Sequence, residues 1–248
     1  MEKNGLWSQT FQIDASSIDK YRKANFKTIG TLFQEVAGGH AFERKVDYFS
    51  MREKGLQWVL NRLRIEMVEF PTWRDTVVVS TWVSEMTPFS HRHYEIRRID
   101  GTLLGGGASL WLPLDVVTNR PKRFTDFDVQ IVDKETYCKM PSKLKASIDT
   151  ADMDTAFLPT KKCVEYSDLD MLSHVNNTKY VEWMLNNFHH NSSELFAYKT
   201  MEINYLNEVR FGEAIEIIPI KQQNSLIYSI QKAVDKTEVC RCTFAEEY

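Results

Sequence analysis

No stretch of this chain approaches the roughly 18 apolar residues that a membrane-crossing helix needs, so no membrane partner is expected. There is no basic excess either. Lys and Arg number 31 against 34 Asp and Glu, a formal net charge of -3, which argues against a nucleic-acid binder. The first residues, Met1-Glu-Lys-Asn-Gly-Leu-Trp7, have no apolar signal core and no Arg/Ser-rich transit character. A cytoplasmic protein is the expectation. Cysteine is sparse: Cys138, Cys163, Cys240 and Cys242 fit no zinc spacing. They read as buried free thiols in a reducing compartment, with Cys240 and Cys242 on one face of a strand. No Gly-x-Ser-x-Gly elbow occurs, which argues against a serine hydrolase. Gly105-Gly106-Gly107 lies inside a strand pattern rather than between a strand and a helix. It is therefore no phosphate cradle and marks a bend or the close approach of a buried helix. The basic pairs Arg62/Arg64, Arg97/Arg98 and Lys161/Lys162 read as solvated faces.

What is present is a repeat. Residues 12–33 match 163–184 at a constant offset of 151, pairing Ile18 with Leu169, Asp19 with Asp170, Asn25 with Asn176 and Phe33 with Met184. Residues 73–79 match 211–217 at an offset of 138, so the first half carries a longer connection after its helix, around residues 38–53. Each half reads as a short strand (8–13; 161–166), a polar loop and an amphipathic helix. The helix carries Ile29, Leu32, Phe33 and Val36 in one half and Val181, Met184, Leu185 and Phe188 in the other. Gly38-Gly39 reads as a stop for the first helix. Strands rich in β-branched and aromatic residues follow at 58–70, 76–83, 91–99 and 103–113, then at 198–209, 214–222, 226–234 and 238–246. Asp100-Gly101 is a hairpin turn signal. The expected architecture is α+β, with two repeats of a long helix wrapped by a curved antiparallel sheet. The divisions are 1–120, a charged aperiodic connection at 121–157, and 158–248.

The chemistry concentrates in Ser167-Asp-Leu-Asp-Met-Leu-Ser-His-Val-Asn-Asn-Thr-Lys-Tyr-Val-Glu-Trp183. Asp170 and His174 sit in a short loop before a helix that starts at about Val175 to Asn177. A helix start offers free N–H groups and the positive end of the macrodipole, which suits a developing oxyanion. Histidine titrates near neutrality and serves as acid, base or donor. The plain alternatives are an Asx-turn or cap for Asp170 and a satisfied polar residue for His174. The repeat weighs against the second, because the first half has Lys23 where the second has His174. Glu208, at the end of the strand reading over 198–209, matches Phe70. A carboxylate among apolar walls suits a general base, and a solvated strand-end glutamate is the plain alternative. His91-Arg-His93 and His189-His190 read as structural rather than metal-binding, because no third ligand lies nearby in sequence.

These residues resemble the acyl-acyl-carrier-protein (acyl-ACP) thioesterase family of bacteria and plant plastids, over roughly residues 11–244. The resemblance rests on Leu32-Phe-Gln-Glu-Val-Ala-Gly-Gly-His-Ala41, Trp58-Val-Leu-Asn-Arg62, Pro71-Thr-Trp-Arg-Asp75 and Thr81-Trp-Val83. In the second half it rests on Asp168-Leu-Asp-Met-Leu-Ser-His-Val-Asn-Asn177 with Tyr180 and Trp183. It implies a double hot-dog fold and hydrolysis of the thioester between a fatty acyl chain and the phosphopantetheine arm of acyl carrier protein, with no cofactor and no metal. It further implies that Glu208, 34 residues after His174, activates water. Asp170 and His174 position that water and polarise the carbonyl, and the helix start near Asn176 and Asn177 receives the oxyanion. An acyl tunnel in the first half is expected, and a homodimer is compatible with the reading. Two positions depart from the family. Leu172 stands where the family has asparagine, a role open to Asn176 or Asn177. Val209 stands where an older scheme placed a nucleophilic cysteine, which removes that mechanism here. Two alternatives stay open: an acyl-CoA thioesterase on the same fold, and an acyl-binding protein without turnover. Hydratases of this fold carry a longer Asp-to-His spacing.

Overall fold

A computed structural model describes residues 2–122, 129–144, 158–188, 193–222 and 224–246. The chain forms two compact units, Met1–Pro141 and Ser142–Tyr248.

In the first unit the order is β1 (Glu2–Lys3), β2 (Leu6–Gln12), α1 (Phe26–Glu43), α2 (Tyr48–Glu53), β3 (Leu56–Met67), β4 (Thr76–Thr87), β5 (Phe89–Arg98) and β6 (Leu103–Asp115). The strands lie in the order β1-β2-β4-β5-β6-β3, every pair antiparallel. The helix α1 packs on β2, β3 and β4 and buries Phe26, Ile29, Leu32, Phe33, Val36 and Ala37, the stripe that its 3.6-residue period places on one face. Phe33 stacks on Tyr94 of β5 at 4.5 Å and lies on Gly107 of β6, where a Cβ would overlap its ring. The glycine run is thus the close approach of the buried helix that the sequence suggested. Asp100-Gly101 makes the β5–β6 turn, with Gly101 at φ 92 and Asp100 accepting from Thr102 N at 2.9 Å.

The helix does not stop at Gly38-Gly39. It runs on to Glu43, and Arg44 closes it by donating to His40 O. Tertiary packing overrides the low propensity of two glycines, because the turn beyond them buries His40. Gly39 also lies under Trp7 of β2, whose Nε1 would stand 3.1 Å from an added Cβ. The connection beyond holds a second short helix, α2, that sequence periodicity did not signal.

Residues 129–141 run along this sheet. Val132 N donates to Val83 O, and Lys134 pairs with Glu95 at 2.9 Å and lies 4.3 Å over the Trp82 ring. Tyr137 rests against Gly106. Arg64, read as solvated, is buried and paired with Glu66 two residues along the same strand face at 2.6 Å.

The second unit has β7 (Thr160–Cys163), α3 (Asn177–Asn187), β8 (Thr200–Tyr205), β9 (Ala214–Gln222), β10 (Ser225–Lys232) and β11 (Glu238–Ala245). Its strand order is β8-β11-β10-β9-β7, again antiparallel. Tyr198, Tyr228, Phe244 and Phe188 form an aromatic cluster with centroids 5.7 to 6.3 Å apart. Cys240 and Cys242 are buried free thiols, as is Cys138 in the first unit; Cys163, at the end of β7 and expected to be buried, is exposed.

The repeat recurs in the backbone hydrogen bonds. Asp19 N donates to Lys23 O at 3.0 Å, and Asp170 N to His174 O at 2.8 Å. Ala24 N reaches Pro71 O as Val175 N reaches Val209 O. Isolated bridges join Lys23 to Thr72 and His174 to Arg210. Arg22 and Ser173 both take φ 61, in the left-handed region. Asn25 caps α1 and Asn176 caps α3, each through its side-chain oxygen. Every one of these pairs obeys the offsets read from the sequence.

Candidate active site

The loop before α3 is built on two carboxylates. Asp168 is buried, accepts from Glu165 N at 2.9 Å and is held by Lys162 at 3.3 Å. Asp170 forms an Asx-turn: its Oδ1 accepts from Leu172 N at 2.8 Å and His174 N at 3.2 Å. Asp19 makes the same turn with Tyr21 N at 2.8 Å. The fold therefore uses this aspartate in both halves, and in the second half it fixes the backbone that carries His174. The Oδ1 of Asn176 accepts from Thr178 N and Oγ1 at 2.9 and 2.8 Å. Capping thus accounts for that residue as it does for Asn25.

Glu208 does not lie on a strand. The β8 strand ends at Tyr205, and the next two N–H groups, of Leu206 and Asn207, both point at Val239 O. Val68 and Glu69 do the same with Leu104 O. The doubled donation breaks the ladder in the manner of a bulge and re-aims the following side chain. In the first unit that side chain is Phe70, buried edge-on against Phe26 at 5.0 Å. In the second it is Glu208, whose Oε2 stands 3.2 Å from His174 Nε2. Val209, next in sequence, is fully buried and accepts from Val175 N, which ties the glutamate to the helix loop. The side chains of His174 and Glu208 are 23% and 47% exposed. The glutamate faces an imidazole and solvent rather than the apolar walls expected for it.

Four positions change together between the halves. Lys23, Phe26, Ile29 and Phe70 become His174, Asn177, Tyr180 and Glu208. Asn177 is the first residue of α3; its carbonyl accepts from Tyr205 Oη at 3.1 Å, and its carboxamide bonds to no described residue. Tyr180 was not singled out from the sequence for a role. The signal was available, because the 151-residue offset sets it against the fully buried Ile29. Its phenol is held well above the usual tyrosine range, first by burial and then by the charges of neighbouring acidic groups, Cys240, Glu208, Glu213 and Asp170.

The histidines set aside from the sequence have other work. His91 pairs with Glu85 at 3.2 Å, while His93 stacks on Trp82 and bonds Ser84 at 3.0 Å. His189 and His190 lie outside the described residues. No described helix is long and apolar enough to cross a membrane.

Comparison with known proteins adds an independent line. The family model for the acyl-ACP thioesterase N-terminal domain matches residues 4–132, and that for the C-terminal domain residues 152–244. The chain is 27% identical over 216 residues to a chloroplastic palmitoyl-acyl carrier protein thioesterase of Arabidopsis thaliana, covering 82% of this chain and 52% of that protein. It is 24% identical over 248 residues to the oleoyl-acyl carrier protein thioesterase 2 of the same plant, covering 92% and 66%. The chain thus spans between about half and two thirds of the length of these relatives. In fold it is similar to an acyl-ACP thioesterase of Bacteroides thetaiotaomicron VPI-5482, with a TM-score of 0.87, 24% identity and 98% coverage of each chain. It is similar also to the 12:0-ACP thioesterase of Umbellularia californica, with a TM-score of 0.82, 21% identity and coverage of 99% and 98%. By both family models and by its double hot-dog fold, the chain belongs to the acyl-ACP thioesterase family.

Proposed function

We propose that the chain hydrolyses the thioester of fatty acyl-ACP, releasing free fatty acid and the carrier thiol. The observation that carries the reading is the Glu208–His174 pair at the start of α3, at positions where the other half of the same fold has Phe70 and Lys23. Glu208 takes a proton from water as its oxygen attacks the carbonyl carbon. The tetrahedral intermediate collapses with cleavage of the C–S bond, and the leaving thiolate takes that proton back. His174 orients Glu208 and the water. Asp170 acts on the reacting atoms through the backbone of His174, which its Oδ1 holds. The first N–H of α3, on Asn177, serves as a donor to the negative charge that develops on the carbonyl oxygen. Leu172 contributes a backbone N–H to the turn. The carboxamide of Asn177, rather than that of Asn176, is the one available in place of the family's asparagine. No cofactor enters this scheme. The acyl chain belongs to the first unit, which keeps the helix and sheet without the polar quartet.

Thiol release is to be measured on dodecanoyl-, palmitoyl- and oleoyl-ACP, the acyl groups that relatives' names carry. Wild type turns over at least one of them, and Glu208→Ala does so roughly 10² to 10⁴-fold more slowly. Equal turnover by the variant would sink the base. Comparing kcat/KM on matched ACP and CoA thioesters separates the carriers. A second reading, acyl binding without turnover, is favoured only by Leu172, and tight acyl-ACP binding with no thiol release would establish it.

A further inference from the structure

The proposed chemistry leaves one polar group near Glu208 without a task. Tyr180 stands one turn into α3, with its ring buried (4% exposed) and wedged edge-on between Trp183 at 5.2 Å and Tyr205 at 5.8 Å. Its hydroxyl is not among the buried polar atoms that lack a partner, so the ring is held in the core while the O–H is presented to solvent. The Tyr205 hydroxyl, on the ring packed against it, donates instead to Asn177 O. The fold does not require a hydroxyl at this position, because Ile29 fills the equivalent place in the first unit with no exposure. The change from Ile29 to Tyr180 occurs in the half, and on the helical turn, where Phe26 becomes Asn177 and Phe70 becomes Glu208. The acidic groups whose charge bears on the phenol are Cys240 of β11, Glu208, Glu213 and Asp170.

We infer that Tyr180 is a further residue of the site, its phenol donating a hydrogen bond to the thioester carbonyl oxygen alongside the Asn177 N–H. The inference rests on the thioesterase reading and extends it. Held protonated by burial and by surrounding negative charge, the phenol remains a donor throughout the working pH range. A donor aimed where charge develops lowers the barrier without tightening ground-state binding. The loss is therefore expected in kcat and not in KM.

The test is steady-state hydrolysis of the acyl-ACP that wild type turns over best, with Tyr180→Phe and Glu208→Gln side by side. Phenylalanine keeps the ring packing. The expected result for Tyr180→Phe is a fall of roughly 10² to 10³-fold in kcat with KM within about threefold and an unchanged thermal midpoint. Full kcat in Tyr180→Phe, with Glu208→Gln inactive, overturns this inference and leaves the thioesterase reading standing. No thiol release by wild type on any ACP or CoA ester overturns both. If Tyr180→Phe does not fold, 3,5-difluorotyrosine at position 180 replaces it. Its more acidic phenol is a stronger hydrogen-bond donor, so a kcat changed by more than about threefold at unchanged KM is expected, and a kcat equal to wild type overturns the inference.

Discussion

Two glycines of the first unit should respond to alanine with opposite signs. An added Cβ at Gly107 would stand 2.9 Å from Arg64 O and 3.0 Å from Phe33 Cδ2, with Phe33 Cε2 nearer still. Comfortable carbon contacts lie at about 3.5 to 4.0 Å, so something must move by half an ångström or more. The Arg64 carbonyl belongs to β3, paired to β6 at this register. Phe33 is 1% exposed and stacked on Tyr94, itself 2% exposed. Neither has free space, so Gly107→Ala is expected to cost about 3 kcal/mol, the upper end of the usual overpacking range. At Gly38 an added Cβ meets nothing within 4 Å, and the residue lies on the exposed face inside α1. Gly38→Ala should therefore stabilise by about 0.5 to 1 kcal/mol through helix propensity alone. Urea denaturation of the two variants beside wild type measures both, with midpoints moving apart at constant slope. A neutral Gly107→Ala would refute the close packing of α1 on β6. A destabilising Gly38→Ala would refute the continuation of α1 past its glycines.

Acid should weaken the first unit before it reaches most carboxylates. Burial, reinforced by Arg92, holds His40 down to about 4, and burial with His91 holds His93 down to about 4, against an ordinary 6.5. Because the folded pKa values are depressed, the unfolded chain binds the extra protons. Stability is full above pH 6.5, falls as pH drops toward 4 and is flat below that. The loss is up to about 3 kcal/mol per histidine. Urea midpoints at pH 7 and pH 5 check this, and a His40→Gln/His93→Gln variant should flatten the dependence; an unaltered slope would count against it. Asp19→Ala and Asp170→Ala form a matched pair, each removing an Asx-turn acceptor at a cost of about 1 to 3 kcal/mol. Only Asp170→Ala should lower thiol release, and a comparable loss of activity in Asp19→Ala would contradict the division of labour between the halves.

The repeat was legible in the sequence because both halves obey the same local constraints. An aspartate accepts from the turn, a left-handed residue follows (Arg22, Ser173), and an asparagine caps the helix (Asn25, Asn176). Side-chain type and spacing encode the first and the last, while Arg22 and Ser173 share only their place in the turn. The identity of the site followed by subtraction, since His174 and Glu208 occupy positions that the fold fills elsewhere with Lys23 and Phe70. What was not legible depends on distant partners. The helix α1 outruns Gly38-Gly39 because its next turn is buried and because Trp7 of β2 covers Gly39. Arg64 is buried because β6 pairs beside it and the distant segment carrying Cys138 meets its carbonyl, and Glu66 then answers its charge. Glu208 reads as a strand residue, since an alternating pattern continues across the bulge at Leu206 and Asn207, and nothing in residue type announces that both donate to one carbonyl. Cys163 reads as buried from its residue type, yet it closes a four-residue strand on the solvent side, while the next residue, Val164, is the one turned into the core.

The central claim is that Glu208, set beside His174 by the bulge after β8, activates the water that attacks an acyl thioester. Steady-state thiol release by Glu208→Gln, on whichever of dodecanoyl-, palmitoyl- or oleoyl-ACP wild type hydrolyses fastest, tests it most directly. Glutamine keeps the shape of the side chain and a contact with His174 while removing the proton acceptor. The account predicts a kcat lower by roughly 10² to 10⁴-fold with an unfolding midpoint equal to wild type. A kcat within a few-fold of wild type in a folded variant would contradict it.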